Sequence, residues 1–156
     1  MFNVVLVEPE IPSNTGNIIR LCANAGAQLH LIEPLGFKLD DAKMRRAGLD
    51  YHEFVSLRVH QNWQAFMSSE SVSDTRMFAF TTRGASHLHH HTFAKGDWFV
   101  FGPETRGLST ELLTQFTAEQ RVRLPMRPGN RSLNLSNAVA ITVFEAWRQQ
   151  DFAGGA

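Results

Sequence analysis

The stretch that most limits what this chain can become runs from Leu124 to Trp147, LPMRPGNRSLNLSNAVAITVFEAW. A Leu-Pro corner leads into a polar, glycine-containing loop from Arg127 to Arg131. Ser132, Asn134 and Ser136 then offer side chains able to cap a helix start. The helix that follows is apolar nearly all round. Leu135, Ala138, Val139, Thr142, Val143 and Ala146 form one stripe at helical spacing, and Ala140, Ile141, Phe144 and Trp147 fill the other side. Such a helix must be covered on more than one face. In a chain of 156 residues the expected second cover is another copy, so a homodimer is expected.

That length suits one domain with a real core. No run of about 18 apolar residues is available to span a bilayer. The opening MFNVVLVEPE has neither a basic n-region nor a small-residue cleavage site, and a cytoplasmic protein is expected. A single cysteine, Cys22, excludes an internal disulfide or a multi-Cys zinc site, and it sits in an apolar stripe as a small core residue. His87 is followed by His89-His90-His91 in what reads as a loop with no nearby carboxylate, so no metal is expected. Fifteen basic residues balance fifteen acidic ones, but unevenly along the chain. Arg121, Arg123, Arg127 and Arg131 have no acidic residue among them, and Lys43, Arg45 and Arg46 form a second cluster. Both are ordinary solvated faces or local anion-binding surfaces.

Short apolar runs read as buried strands at Phe2–Val7, Gln28–Ile32, Met77–Thr81, Asp97–Phe101 and Arg121–Leu124. His52–Leu57 reads as an edge strand. Helices are expected over Asn17–Ala25 (capped by Ser13, Asn14, Thr15 or Gly16 and stopped by Gly26), 40–47, Asn62–Ser69 and Ser109–Gln115. Phe152–Ala156 reads as frayed. Strands alternating with helices predict an α/β domain with a parallel sheet. Three strands, ending at Val7, Phe101 and Leu124, run into Pro/Gly loops rich in Asn, Arg and Glu. Open α/β sheets bind ligands beyond such carboxyl ends. Neither GxGxxG after a strand nor GxxxxGK[ST] is present, which excludes the common dinucleotide and P-loop signatures.

Three stretches rise above this background: Pro12-Ser-Asn-Thr-Gly-Asn-Ile-Ile-Arg20, Phe101-Gly-Pro-Glu-Thr-Arg-Gly-Leu108, and Leu124-Pro-Met with Arg131-Ser-Leu-Asn-Leu-Ser-Asn-Ala138. Together they resemble the three motifs of the SPOUT superfamily of RNA methyltransferases. The likeness is to the small single-domain type that 2′-O-methylates the wobble cytidine or uridine of leucine tRNAs. CANAG, RRAGLDYHEF and SNAVAITVFEAWRQ look like the same subtype. The resemblance implies one SPOUT domain over residues 1–156. In it, the segment of about 101–147 would thread a deep trefoil knot, against general topology rules. It implies S-adenosyl-L-methionine as cofactor, tRNA as partner and a dimer packed through the first and last helices.

Carried over residue by residue, the cofactor pocket falls at Phe80, Thr81, Gly102, Pro103, Glu104, Leu124, Met126, Ser132, Leu133 and Asn137. Arg20 becomes the leading catalytic residue, with Asn14, Glu104, Arg106 and Asn134 orienting it. Arg20, Lys43, Arg45 and Arg46 become RNA contacts. A guanidinium is effectively always protonated, so Arg20 is expected to bind phosphate and stabilise alkoxide charge rather than act as base. Glu104 has an equally simple structural role, capping backbone N–H groups in its loop. Relatives of this type carry a tyrosine where this chain has Phe144. The alternatives left open are the same fold acting on ribosomal RNA or another tRNA position, and a non-catalytic RNA-binding dimer.

Overall fold

The parity of the apolar runs dictates the architecture. In β1 (Asn3–Val7), β4 (Met77–Phe80) and β6 (Trp98–Phe101) nearly every residue is buried, as strands covered on both faces must be. Side chains alternate between faces. Val4, Leu6, Phe78, Phe80, Phe99 and Phe101 enter one core, and Val5, Val7, Met77, Ala79, Trp98 and Val100 enter the other. The computed structural model describes residues 1–40, 48–54 and 56–156. The helix expected over 40–47, with Lys43, Arg45 and Arg46, therefore lies outside the described residues except for Asp40, which is in no helix.

The remaining strands are β2 (Gln28–Ile32), β3 (Leu57–His60), β5 (Ser86–His87) and β7 (Arg121–Arg123), and the sheet order is β3-β2-β1-β6-β4-β7-β5. Every pairing is parallel. The first core is closed by α1 (Pro12–Ala25) and α4 (Leu135–Gln149), through Ile18, Ile19, Cys22, Val139, Val143 and Ala146. Its hub is Phe99, whose ring meets those of Phe2, Phe78, Phe80 and Phe93. The second core is closed by α2 (Trp63–Ser69) and the short α3 (Thr110–Leu113) through Phe66 and Leu112. Asn62, Ser109 and Asn134 cap their helices with side-chain oxygens. Gly26 ends α1 in the left-handed region at φ 69°, where a side chain would be strained.

Four expectations are corrected. First, α1 starts at Pro12 rather than Asn17, its N-cap is Ile11 with no side-chain cap, and Asn14, Thr15 and Gly16 are buried inside the helix. Proline suits the first helical position because its missing N–H costs nothing there. Second, the edge strand begins at Leu57. Tyr51–Phe54 is a 3-10 turn instead, held by Asp50 N–H donating to Glu53 Oε2 at 2.6 Å. Third, His87 belongs to β5, two residues paired with β7, too short to carry a periodic signal. Fourth, the C-terminus folds back, since Trp147 Nε1–H donates to Ala153 O at 3.0 Å and the Trp147 ring packs on Phe152.

The second core also holds a buried polar group. His30 Nδ1 lies 3.0 Å from His60 Nε2, against Phe66 and Trp98. Burial pushes the His30 pKa down to about 4, with Glu70 opposing and His60 and Arg58 assisting. Its unfolded value is near 6.5. The unfolded chain therefore takes up this proton first as pH falls, and stability drops from about pH 6.5 downward, levelling near pH 4. The loss from His30 alone is expected to be on the order of 3 kcal/mol. Urea unfolding of wild type and His30→Asn across this window tests it, the variant showing the shallower slope.

Candidate active site

The order of strands reverses beside β1, which pairs with β2 on one side and β6 on the other. A crevice at such a reversal is where α/β sheets place ligands, and the loops after β1 and β6 meet there. Glu104, in the loop after β6, accepts from Glu10 N–H at 3.0 Å and Ile11 N–H at 2.5 Å. This carboxylate supplies what α1 lacks locally, a negative group at its positive end. In return Glu10 accepts from Thr105 N–H at 3.0 Å and Thr105 Oγ1–H at 2.8 Å, and those bonds hold its carboxyl below the ordinary range. Glu104 thus caps backbone N–H groups, but of the β1 loop rather than its own.

A second link joins α1 to the start of α4. Asn134 Nδ2–H donates to Asn14 Oδ1 at 3.0 Å, while Asn134 Oδ1 accepts from Ser136 and Asn137 N–H. One asparagine therefore caps α4 and ties it to a buried residue of α1. The first and third sequence stretches are hydrogen-bonded directly, and the second is bonded to Glu10 and Ile11 just ahead of the first.

Arg20 lies on α1 with its side chain half exposed. Its Nε–H donates to Glu53 Oε1 at 3.1 Å, and an Nη2–H donates to Gly48 O. Sequence reasoning missed Glu53. The only local signal is the Asp50-x-x-Glu53 spacing that closes the turn, and nothing in it points to Arg20, 33 residues earlier.

The expected pocket residues divide by exposure. Phe80 and Phe101 are buried and stacked, rings 4.7 Å apart at 15°. Gly102 and Pro103 are buried as well, and Thr81 and Leu124 are partly so. Gly102 has no room for a side chain: a Cβ there would stand 2.2 Å from Leu108 N and 2.4 Å from Gly107 C. Residues 125–134, with Met126, Ser132 and Leu133, are exposed, as is Asn137. Met126 and Leu133 are large apolar side chains left in water, and no backbone N–H of residues 126–133 bonds to another described residue. A loop with apolar side chains and unpaired backbone groups suits a flat, hydrogen-bonding ring such as adenine.

The charged neighbours also divide. Arg121 donates twice to Phe116 O, and an Arg123 Nη2–H meets His87 Nε2 at 2.8 Å. Both are held by neighbours within the fold, whereas Arg127 and Arg131 project from the exposed loop. His87, His89 and His90 bring ring nitrogens within 4.8 Å of one another, with Arg123 against the first. Arg106 pairs with Glu8 at 3.4 Å across a cleft of about 220 Å³ bounded by Val7, Pro103 and Leu112.

An all-parallel sheet whose β1, β6 and β7 loops converge on one edge is a ligand-binding α/β domain. The chain belongs to the SpoU rRNA Methylase family, whose model matches residues 1–144. It is 71% identical, over all of both chains, to a Burkholderia ambifaria protein named tRNA (cytidine(34)-2'-O)-methyltransferase. A Yersinia pestis protein of the same name is 54% identical over 99% of this chain and 97% of its own. Among solved structures, one concerned with 2-OH methylation of C/U34 on tRNA is 44% identical, with TM-score 0.87 and 97% of each chain covered. An AdoMet-bound rRNA methyltransferase from Sinorhizobium meliloti is 25% identical, with TM-score 0.81 over 94% of this chain and 56% of that one.

Proposed function

We propose that this chain is an S-adenosylmethionine-dependent tRNA methyltransferase acting on the ribose 2′-hydroxyl of the wobble nucleotide, cytidine or uridine 34, of leucine tRNAs. The observation that carries the reading is the end-to-end 71% identity to the Burkholderia ambifaria enzyme. S-adenosylmethionine supplies an already electrophilic methyl group, so the protein must align the hydroxyl and manage charge. Phe80, Thr81, Gly102, Pro103, Glu104, Leu124, Met126, Ser132, Leu133 and Asn137 hold the donor in this reading. The absence of space at Gly102 and the unpaired loop backbone support it. Arg20 binds the phosphate beside the target ribose and stabilises developing alkoxide charge. Asn14 and Asn134 keep α1 and the start of α4 in register, and Glu104 ties the β6 loop to the residues ahead of α1, through the bonds described above.

RNA meets Arg20, Arg127, Arg131 and the Lys43–Arg46 cluster, so tRNA affinity falls steeply with salt. One domain spans residues 1–156, and the segment of about 101–147 threads a deep knot. The support is strand order, since β7 enters the sheet between β4 and β5, both earlier in the chain. The working form is a cytoplasmic homodimer, with no metal in the reaction. Ile141 and Phe144 are nearly half exposed on the outer side of α4, and Phe144 packs with Trp147 and Phe152 in an apolar patch. Ile141→Glu is expected to convert the dimer into 17.6 kDa protomers, read by sedimentation velocity.

Transfer of labelled methyl from S-adenosylmethionine to bulk tRNA, followed by mass-spectrometric mapping, tests the function. Label at nucleotide 34 of leucine tRNA is the expected result. Label in ribosomal RNA or elsewhere in tRNA overturns the substrate, and donor binding without any product overturns the activity.

A further inference from the structure

We propose that Glu53 is a positioning residue for methyl transfer: it holds the inner edge of the Arg20 guanidinium so that the outer edge faces RNA phosphate. The inference rests on the role given to Arg20 above. A guanidinium carries five N–H donors in a rigid plane. Nε–H goes to Glu53 Oε1 and one Nη2–H goes to Gly48 O. These two donors form one edge of the plane. The other edge, made by both Nη groups, has no partner among the described residues, and the side chain is half exposed. Two parallel N–H groups on a free edge match two phosphate oxygens.

Glu53 is fit to hold that orientation. It is itself buried, so it is a fixed point rather than a solvated chain. Its second oxygen accepts from Asp50 N–H at 2.6 Å, which anchors the carboxylate to the 3-10 turn. That backbone bond, with Arg20 assisting, keeps the carboxyl below its ordinary range. A free arginine side chain loses considerable rotamer entropy on docking a phosphate. One already clamped at two of its donors has lost most of it before RNA arrives.

The test compares wild type, Glu53→Ala, Glu53→Gln, Arg20→Ala and the Arg20→Ala/Glu53→Ala double variant. Four quantities are measured: single-turnover methyl transfer to tRNA, donor affinity by calorimetry, the salt dependence of tRNA binding, and melting temperature. Glu53→Ala is expected to slow transfer roughly tenfold to a hundredfold with donor affinity kept. Its log–log salt slope becomes shallower by about 1, as in Arg20→Ala. The double variant matches Arg20→Ala alone, because a residue acting through Arg20 has nothing left to act on. Glu53→Gln retains one accepting oxygen and falls between, and it carries the comparison if the alanine variant does not fold. A wild-type or faster rate in a folded Glu53 variant, beside a slow Arg20→Ala, overturns the positioning role alone. Losses that multiply in the double variant overturn it as well. A fully active Arg20→Ala removes the role of Arg20, and this inference with it.

Discussion

Replacing Arg20 with alanine is expected to slow methyl transfer to tRNA roughly 100- to 1000-fold, the usual loss when one preorganised charge-stabilising donor is removed. Donor affinity should stay unchanged, because Arg20 stands on α1 while the proposed donor pocket is built from the β4, β6 and β7 loops. The fold should also survive, since the side chain is half exposed and its partners are Glu53 and a backbone carbonyl. Arg20→Lys is expected to recover little. An ammonium keeps the charge but has no planar edge to share between a protein clamp and a phosphate. A quench assay under single-turnover conditions, paired with calorimetric donor titration, reads both quantities. A rate loss that tracks a loss of donor binding would contradict the assignment, because it would place Arg20 in the pocket rather than at the RNA.

Gly102→Ala is expected to abolish donor binding and to destabilise the protein by several kcal/mol, on the scale of overpacked core substitutions. The added methyl would stand 2.2 Å from one backbone atom and 2.4 Å from another, and backbone cannot step aside as a side-chain tip can. The turn is closed by Gly107 N–H donating to Pro103 O at 2.8 Å. Opening it to admit a methyl would move Glu104, which caps the approach to α1, and Thr105, which holds Glu10. The damage should therefore spread from the donor pocket to the placement of Arg20. Melting temperature with and without S-adenosylmethionine checks this: wild type gains stability from the ligand, and the variant gains none.

The contrast between these two residues shows how much of the site was legible beforehand. Arg20 and Gly102 both stand in stretches whose residue order resembles a known family, so their roles could be expected. Their supports could not. Glu53 reaches Arg20 across 33 positions and Glu104 reaches Ile11 across 93, and neither pairing leaves a periodic or spacing signal. The same distinction runs through the fold. The cap Asn134 is legible in the sequence, because it satisfies an N–H two residues ahead. The start of α1 is not legible in this way, because the helix begins at Pro12 behind Ile11 with no side-chain cap. Ser13, Asn14, Thr15 and Gly16 are good cap formers that the chain uses instead inside the helix, where Asn14 meets Asn134.

What the sequence by itself determined is the set of buried strands and their class of sheet. Unbroken apolar runs bounded by Pro, Gly and Asp can only be covered on both sides, and alternate residues must then serve two cores. It also determined that α4 carries more apolar surface than one core can take, leaving Ile141 and Phe144 in water. Only the tertiary structure decided which loops share an edge, where β3 and β5 begin, and which carboxylate holds which helix or guanidinium. Local free energy depends on neighbours within a few residues, whereas a hydrogen bond between distant loops exists only once the sheet has brought them together.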